Sequence, residues 1–170
     1  MHQRHTATDT VLGEVTLAAF DEAIVGLYFR RHLFRPADAT LGPRVAVTDD
    51  DLLSGAANQV QQYLTGERDA FDLPTATFGD PFQECVWAML RTIPRGQTLT
   101  YGGLAKRIGD RALAQAVGKA VGQNPLCIIV PCHRVIGANG HLIGYAGGLA
   151  RKQYLLDLDK TVHAKTTRRP

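Results

Sequence analysis

The chain turns on Leu126-Cys127-Ile128-Ile129-Val130-Pro131-Cys132-His133-Arg134-Val135-Ile136. An apolar run meets a proline, and a cysteine, a histidine and an arginine follow at once. The run is too short to cross a membrane and suits one buried segment. Pro131 pushes Val130 toward extended backbone and ends any strand there. Cys132 is therefore expected where a rigid buried element meets an opening. There the scaffold fixes a sulfur that can still be reached. A thiol attacks as its thiolate and needs a base or a positive charge nearby. His133 can serve if the chain turns after Pro131. A buried structural cysteine followed by a surface His-Arg pair fits the same residues, since free cysteine is among the most buried types. The motif alone leaves the function open.

Composition bounds what surrounds it. A chain of 170 residues can bury a sizeable core as one domain or two small ones. Its 45% hydrophobic and 21% charged residues are ordinary for a globular protein. The start, Met1-His2-Gln3-Arg4-His5, leads into no apolar signal region, and a cytoplasmic location is expected. Three cysteines, Cys85, Cys127 and Cys132, give no disulfide framework, and no Cys/His set has zinc-finger spacing. Cys85 and Cys127 read as core. The net charge of +3 hides an asymmetry: residues 1–84 carry 6 Lys/Arg and 13 Asp/Glu, residues 85–170 carry 13 and 3. A basic second half fits a chain that meets phosphate with that half, and a pair of solvated faces would look the same.

Working outward, residues 15–20 and 23–29 read as a β-hairpin. Residues 49–66 read as a helix capped by Thr48, with Leu52, Leu53, Ala56, Ala57, Val60, Tyr63 and Leu64 on one face. Phe71-Asp72-Leu73 is expected as a third strand, and residues 75–79 as a link. Asp80-Pro81 opens the next helix as cap and first residue, with Phe82, Val86, Met89, Leu90 and Ile93 as its apolar stripe. Residues 98–108 enter a second helix, Gly109-Asp110 turns the chain, and 111–123 form a third. This pair suggests a helix-turn-helix, though many helical hairpins look alike. Ala114, Gly118 and Gly122 make a side-chain-poor stripe, beside a polar row of Arg111, Gln115 and Lys119. Five glycines between 137 and 148 allow left-handed backbone and close approach of a flat ligand. A last helix, 151–158, is expected to bury Tyr154, Leu155 and Leu158, before a disordered tail. The fold expected is α+β: a small N-terminal α/β domain (1–78) with a short antiparallel sheet, and a mainly helical domain (79–160) with the helix-turn-helix. A tail (161–170) follows.

Asn124-Pro125, the stretch from Ile129 to Gly137 and Gly144-Tyr145-Ala146-Gly147-Gly148-Leu149-Ala150-Arg151-Lys152 resemble the O6-alkylguanine-DNA alkyltransferase family. Residues 82–86 and 98–104 match it too. The likeness covers about half the chain and is loose before Phe82. It implies a suicide reaction in which an alkyl group moves from O6 of guanine in duplex DNA, with O4-alkylthymine as a second substrate, onto Cys132. Displacement at saturated carbon favours soft sulfur, and the thioether product does not leave, so each molecule acts once without metal or organic cofactor.

The resemblance assigns roles. Cys132 is the acceptor, His133 activates it through a water, Asp159 orients His133, Asn124 braces the turn and Tyr101 donates to the departing guanine. Val135, Tyr145, Gly147 and Lys152 line the base pocket. By the resemblance the helix bearing Ala114, Gln115 and Gly118 enters the DNA groove; Arg111 and Lys119, from the polar row, are expected to meet phosphate, though a solvated face and, for the small stripe, close helix–helix packing fit the same residues. Two positions depart from the family pattern. Asp159 stands where glutamate is usual, one methylene shorter, so its reach to His133 needs a backbone adjustment or another water. Gln115 stands where arginine usually fills the gap left by the flipped base. A monomer is expected. Two other functions compete: a protein that binds alkylated DNA without repairing it, and a cysteine hydrolase, for which the chain offers no recognisable oxyanion loop.

Overall fold

The computed structural model describes residues 2–167, with side chains as far as Thr161. The chain forms two compact units: residues up to Thr77 with Pro125–Ile129, and Phe78–Asn124 with Val130 onward.

The first unit is an antiparallel sheet of β1 (Gln3–Thr10), β2 (Gly13–Phe20) and β3 (Ala23–Phe29), in that order. The expected hairpin is β2–β3. The third strand is β1, not residues 71–73, which carry no strand; just after them the chain meets β3 in an Ile24–Thr75 bridge. β1 reads QRHTATDT and has no apolar alternation, so its side chains do not announce it. The ladder to β2, from Gln3↔Phe20 to Thr10↔Gly13, holds it instead. Val15, Leu17 and Ala19 face Phe29, Leu27 and Ile24 across the β2–β3 pair, all fully buried.

Helix α1 (Asp51–Leu64) contacts all three strands and buries Leu53, Ala56, Ala57, Val60, Tyr63 and Leu64. Each large side chain of this kind contributes about 1.5–3 kcal/mol on burial. Its cap is Asp50, not Thr48: the Asp50 carboxylate accepts from Leu53 N at 2.9 Å, while Val47–Asp49 form a 3-10 turn. Gly66, at φ 82°, ends the helix.

The apolar run of the opening stretch is not one strand. Leu27 N donates to Pro125 O at 2.8 Å and Leu126 bridges Leu27, adding a short parallel edge to the sheet. Ile128 then takes φ 73°, and Ile129 N donates back to Cys127 O at 2.8 Å. A β-branched residue in so tight a left-handed turn costs on the order of 1–3 kcal/mol and persists because its surroundings hold it.

The second unit begins with α2 (Pro81–Leu90). Asp80 and Gln83 form a capping box, with side chains accepting from each other's backbone N–H at 2.8 and 2.9 Å. Its buried face is Val86, Trp87 and Leu90, continued by Ile93. Trp87 lies outside the expected stripe, and its Nε1 donates to Ala120 O at 2.8 Å. A Cβ on Gly79 would lie 2.5 Å from the Trp87 ring, so only glycine fits there. Cys85, expected in the core, is exposed. It falls in the outward row with Pro81 and Ala88, at i−4 and i+3, once Trp87 turns inward.

Strand β4 (Leu99–Thr100) runs into α3 (Tyr101–Ile108), whose cap Thr100 accepts from Gly103 N at 2.9 Å. A 3-10 turn over Arg111–Leu113 leads to α4 (Ala114–Gly122), which therefore starts later than expected and ends one residue sooner, with Gln123 as its cap. Strand β5 (Val135–Ile136) pairs parallel with β4. Helix α5 (Leu149–Thr167) is longer than expected, with helix where a disordered tail was expected from 161. No glycine or proline interrupts it before its end, and residues 168–170 lie outside the described residues. Its buried row is Lys152, Leu155, Leu156 and Asp159, at i, i+3, i+4 and i+7; Tyr154, expected inside, is 37% exposed. Two charges on the inward face displace the apolar stripe read from the sequence.

Candidate active site

Two tight turns present Cys132. Pro131 has φ −80° and ψ 63°, and Cys132 N donates to Val130 O at 2.8 Å, an inverse γ-turn that proline's fixed φ suits. Cys132–Arg134 then form one 3-10 turn. Asn124 Nδ2 donates to Val130 O at 2.9 Å, closing the base of the excursion over Pro125–Ile129. Asn124 is 2% exposed and Cys132 4%. Immediately after the turn, Val135 pairs with Leu99, two residues before Tyr101. The β4–β5 pair therefore couples the position of the thiol to the start of α3.

His133 is wholly buried, and its Nε2 lies 3.0 Å from Asp159 Oδ2. The aspartate reaches it directly. A carboxylate only accepts, so Nε2 carries the proton and Nδ1 is the acceptor. Nδ1 is buried and has no hydrogen-bond partner among the described residues. Burial pushes the His133 imidazole below its ordinary value; Asp159 opposes this, and the charges of Arg134 and Lys152 add to it. Burial would raise the Asp159 carboxyl, but hydrogen bonds from His133 and Arg134 and the charge of Arg134 hold it far below the usual carboxylate range. His133 is therefore a neutral acceptor and Asp159 an anion.

Arg134 was not expected in the site. Its Nε donates to Asp159 Oδ2 at 2.7 Å, its Nη2 to Oδ1 at 3.4 Å and its Nη1 to Ile93 O at 2.8 Å. Arg95 Nε lies 3.5 Å from Oδ1. The only sequence trace of this cluster is the spacing of α5, where Lys152 and Asp159 share a helical face with two leucines.

Tyr101 and Lys152 meet at the glycine-rich loop. Tyr101 Oη donates to Ile143 O or Gly144 O, at 3.1 and 3.2 Å. Lys152 Nζ donates to the same carbonyls at 3.1 and 3.0 Å, and lies 5.6 Å from the Tyr101 ring centroid. Gly140, Gly144 and Gly148 have φ of 79°, 64° and 94°, the left-handed backbone expected of this loop. Burial pushes the Tyr101 phenol up to about 12, with help from Cys132 as an anion. It pushes the Lys152 amine down to about 8, against the pull of the same charge. Cys132, Tyr101 and Lys152 thus share one electrostatic neighbourhood. Tyr145 is half-buried, and Gly147, buried, accepts from Arg151 Nη1 through its carbonyl at 2.9 Å.

On α4 and its entry, Arg111, Gln115 and Lys119 form an exposed row. Ala114 and Gly118 are half-buried, and a Cβ on Gly118 would make ordinary contact with the Tyr101 ring at 3.7 Å. The small-residue stripe therefore also backs onto a site residue. Among the described residues no His/Cys/Asp/Glu group could hold a metal ion, and no helix is long and apolar enough to cross a membrane.

A cysteine directly before a buried His-Asp pair, on a unit that also carries a two-helix motif with an exposed Arg-Gln-Lys row, defines a candidate nucleophile on a unit with a surface suited to phosphate. Family models make this specific. The ribonuclease-like domain of 6-O-methylguanine DNA methyltransferase matches residues 4–77 and its DNA-binding domain matches 81–161. A methylated-DNA–protein-cysteine methyltransferase of Mycolicibacterium paratuberculosis is 42% identical over 158 residues, 92% of each chain. One from Shigella flexneri is 53% identical over 103 residues, 60% of each. The crystal structure of Mycobacterium tuberculosis OGT in complex with DNA superposes with a TM-score of 0.82 at 40% identity, covering 94% of both chains. The chain belongs to the 6-O-methylguanine DNA methyltransferase family.

Proposed function

We propose that the protein repairs alkylated duplex DNA by direct reversal, moving the alkyl group from O6 of guanine to Cys132 once per molecule. The observation that carries this is the buried His133–Asp159 pair, with Nε2 3.0 Å from the carboxylate and Nδ1 unpartnered among the described residues, directly after a cysteine fixed by the Pro131 turn. The thiol proton passes to His133, directly or through one water. The thiolate attacks the alkyl carbon, the carbon–O6 bond breaks, and its electron pair stays on guanine. The base takes a proton from Tyr101, and the phenolate regains one from the His133 imidazolium by way of solvent, so that in net one proton moves from thiol to base. Tyr101 is held protonated and is the donor to the departing guanine; to serve, it exchanges its bond to the Ile143–Gly144 carbonyls for one to the base. A positioned donor of this kind contributes about 10²–10⁴-fold.

The base reaches the thiol only when extruded from the stack. Val135, Tyr145, Gly147 and Lys152 are the residues assigned to its slot. Lys152 acts there through the loop it pins, since its Nζ is engaged with two carbonyls. Arg111 and Lys119 are assigned to phosphate, Gln115 to the gap in the stack, and Ala114 and Gly118 to close approach of the groove wall. The reaction uses no cofactor and belongs in the cytoplasm with the DNA. Intact mass after incubation with an O6-methylguanine duplex should show one added methyl group, mapped to Cys132 and absent in Cys132→Ala. Gains beyond one group, or release of methanol with turnover, would replace this reading by a hydrolase.

A further inference from the structure

The carboxylate that orients His133 is shared. Asp159 has one imidazole on Oδ2, Arg134 across both oxygens, and Arg95 beside Oδ1. Asp159 and His133 are within 1% of full burial and Arg134 is 8% exposed, so none of these charges is screened by bulk water. Arg134 is also the residue directly after His133, and the tight 3-10 turn sends the two side chains to one carboxylate from the same element. Its third contact, Ile93 O, lies in the turn that follows α2.

We propose that Arg134 is a positioning residue for the Cys132–His133 pair: tied to Ile93 O and laid along both oxygens of Asp159, it aims the short carboxylate at His133 Nε2 and takes part of its charge, while Arg95 takes a further part from Oδ1. This rests on the proposed transfer to Cys132 and adds to it how that transfer tolerates an aspartate. Two consequences follow from one geometry. A bidentate guanidinium fixes the plane of the carboxylate, so a side chain one methylene shorter still meets the imidazole. Competition for the carboxylate also limits how strongly it can hold a proton on His133. An aspartate bound to imidazole alone would favour the imidazolium, which cannot accept the thiol proton. With two guanidiniums on the same carboxylate, His133 stays a free base to lower pH. The charged and titratable groups around it are Asp159 and Lys152 from α5, Cys132 and Arg134 from its own turn, and Arg95 beyond Asp159; three of the five are cations.

The test is the pH dependence of Cys132 alkylation in wild type, Arg134→Met, Arg134→Lys and Arg95→Gln. It is read by peptide mass, so that exposed Cys85 is not counted, and normalised to the fraction of molecules that react. Two probes are used: iodoacetamide, and a duplex containing O6-methylguanine. In Arg134→Met the acid limb should move up by about one pH unit, the lower end of what a neighbouring charge does to an ionisable group. Arg134→Lys should restore most of it, and Arg95→Gln should move it the same way by less. A merely structural arginine would lower the reactive fraction and leave the limb in place. Should Arg134→Met not fold, the milder Arg95→Gln and Arg134→Lys still carry the direction. Limbs that coincide with wild type in every folded variant overturn the proposal. A limb that moves with iodoacetamide while wild type takes no methyl from DNA keeps Arg134 in its role and removes the repair reading instead.

Discussion

Lys152 offers a prediction whose size follows from the structure. Its amine is fully buried and donates to Ile143 O and Gly144 O. Burial moves it from an ordinary 10.5 down to about 8, with the Cys132 charge pulling the other way. Between those two values the unfolded chain keeps a proton that the folded protein has released. The unfolded state then binds more protons, so unfolding free energy rises with pH across that window. Each unit of displacement is worth about 1.4 kcal/mol, and the part falling between about pH 7.5 and pH 10 amounts to on the order of 2 kcal/mol. Lys152→Met keeps the length of the side chain and removes the proton. Urea unfolding at those two pH values, followed through the single tryptophan, is the assay. Trp87 is 5% exposed and sits in the core of the same unit. Wild type should gain on the order of 2 kcal/mol more than Lys152→Met on going to the higher pH. Staying below Tyr101, pushed up to about 12, keeps the phenol out of the comparison. Equal gains in the two proteins would mean that the buried amine keeps an ordinary affinity for its proton, and the reasoning from burial would fail.

Asp159→Asn leaves two guanidiniums and an imidazole without their shared anion, and breaking a buried pair of this kind costs about 3–5 kcal/mol. Alkylation of Cys132 should slow and keep climbing with pH toward the range of an ordinary thiol; an unchanged urea midpoint and rate–pH profile would remove Asp159 from the relay. Gln115→Arg should tighten binding to an O6-methylguanine duplex and speed its repair without changing reaction with the free base, because a long planar cation fills the gap and meets phosphate. Equal acceleration on both substrates would show that residue 115 acts on the pocket. Asp50→Ala removes the α1 cap and the partner of Arg4, and should lower stability by about 1 kcal/mol or somewhat more, read as a fall of about 2–4 °C per kcal/mol in thermal midpoint. An unchanged midpoint would mean that another residue caps the helix.

What the sequence determines by itself is what neighbours within a few residues decide. The apolar face of α1, the Asp80-Pro81 start of α2, the β2–β3 hairpin and the helix pair after Thr100 all declare themselves in local spacing. So do the turn at Pro131 and the left-handed glycines near 144, because proline and glycine restrict or free φ wherever they stand. Tertiary structure decides the rest through partners far along the chain. β1 is a strand because β2 completes its ladder, and the run before Pro131 breaks at Ile128 because Leu126 is drawn to Leu27. Trp87 turns inward to reach Ala120 O, and Cys85 is left outside. Lys152 and Asp159 take core positions that their charge would forbid if they stood alone. Each is buried because the fold brings it partners, two carbonyls of the preceding loop for the amine and Arg134, 25 residues away in sequence, for the carboxylate. Burying a charge is costly until those partners are assembled, and helical spacing carries no record of them.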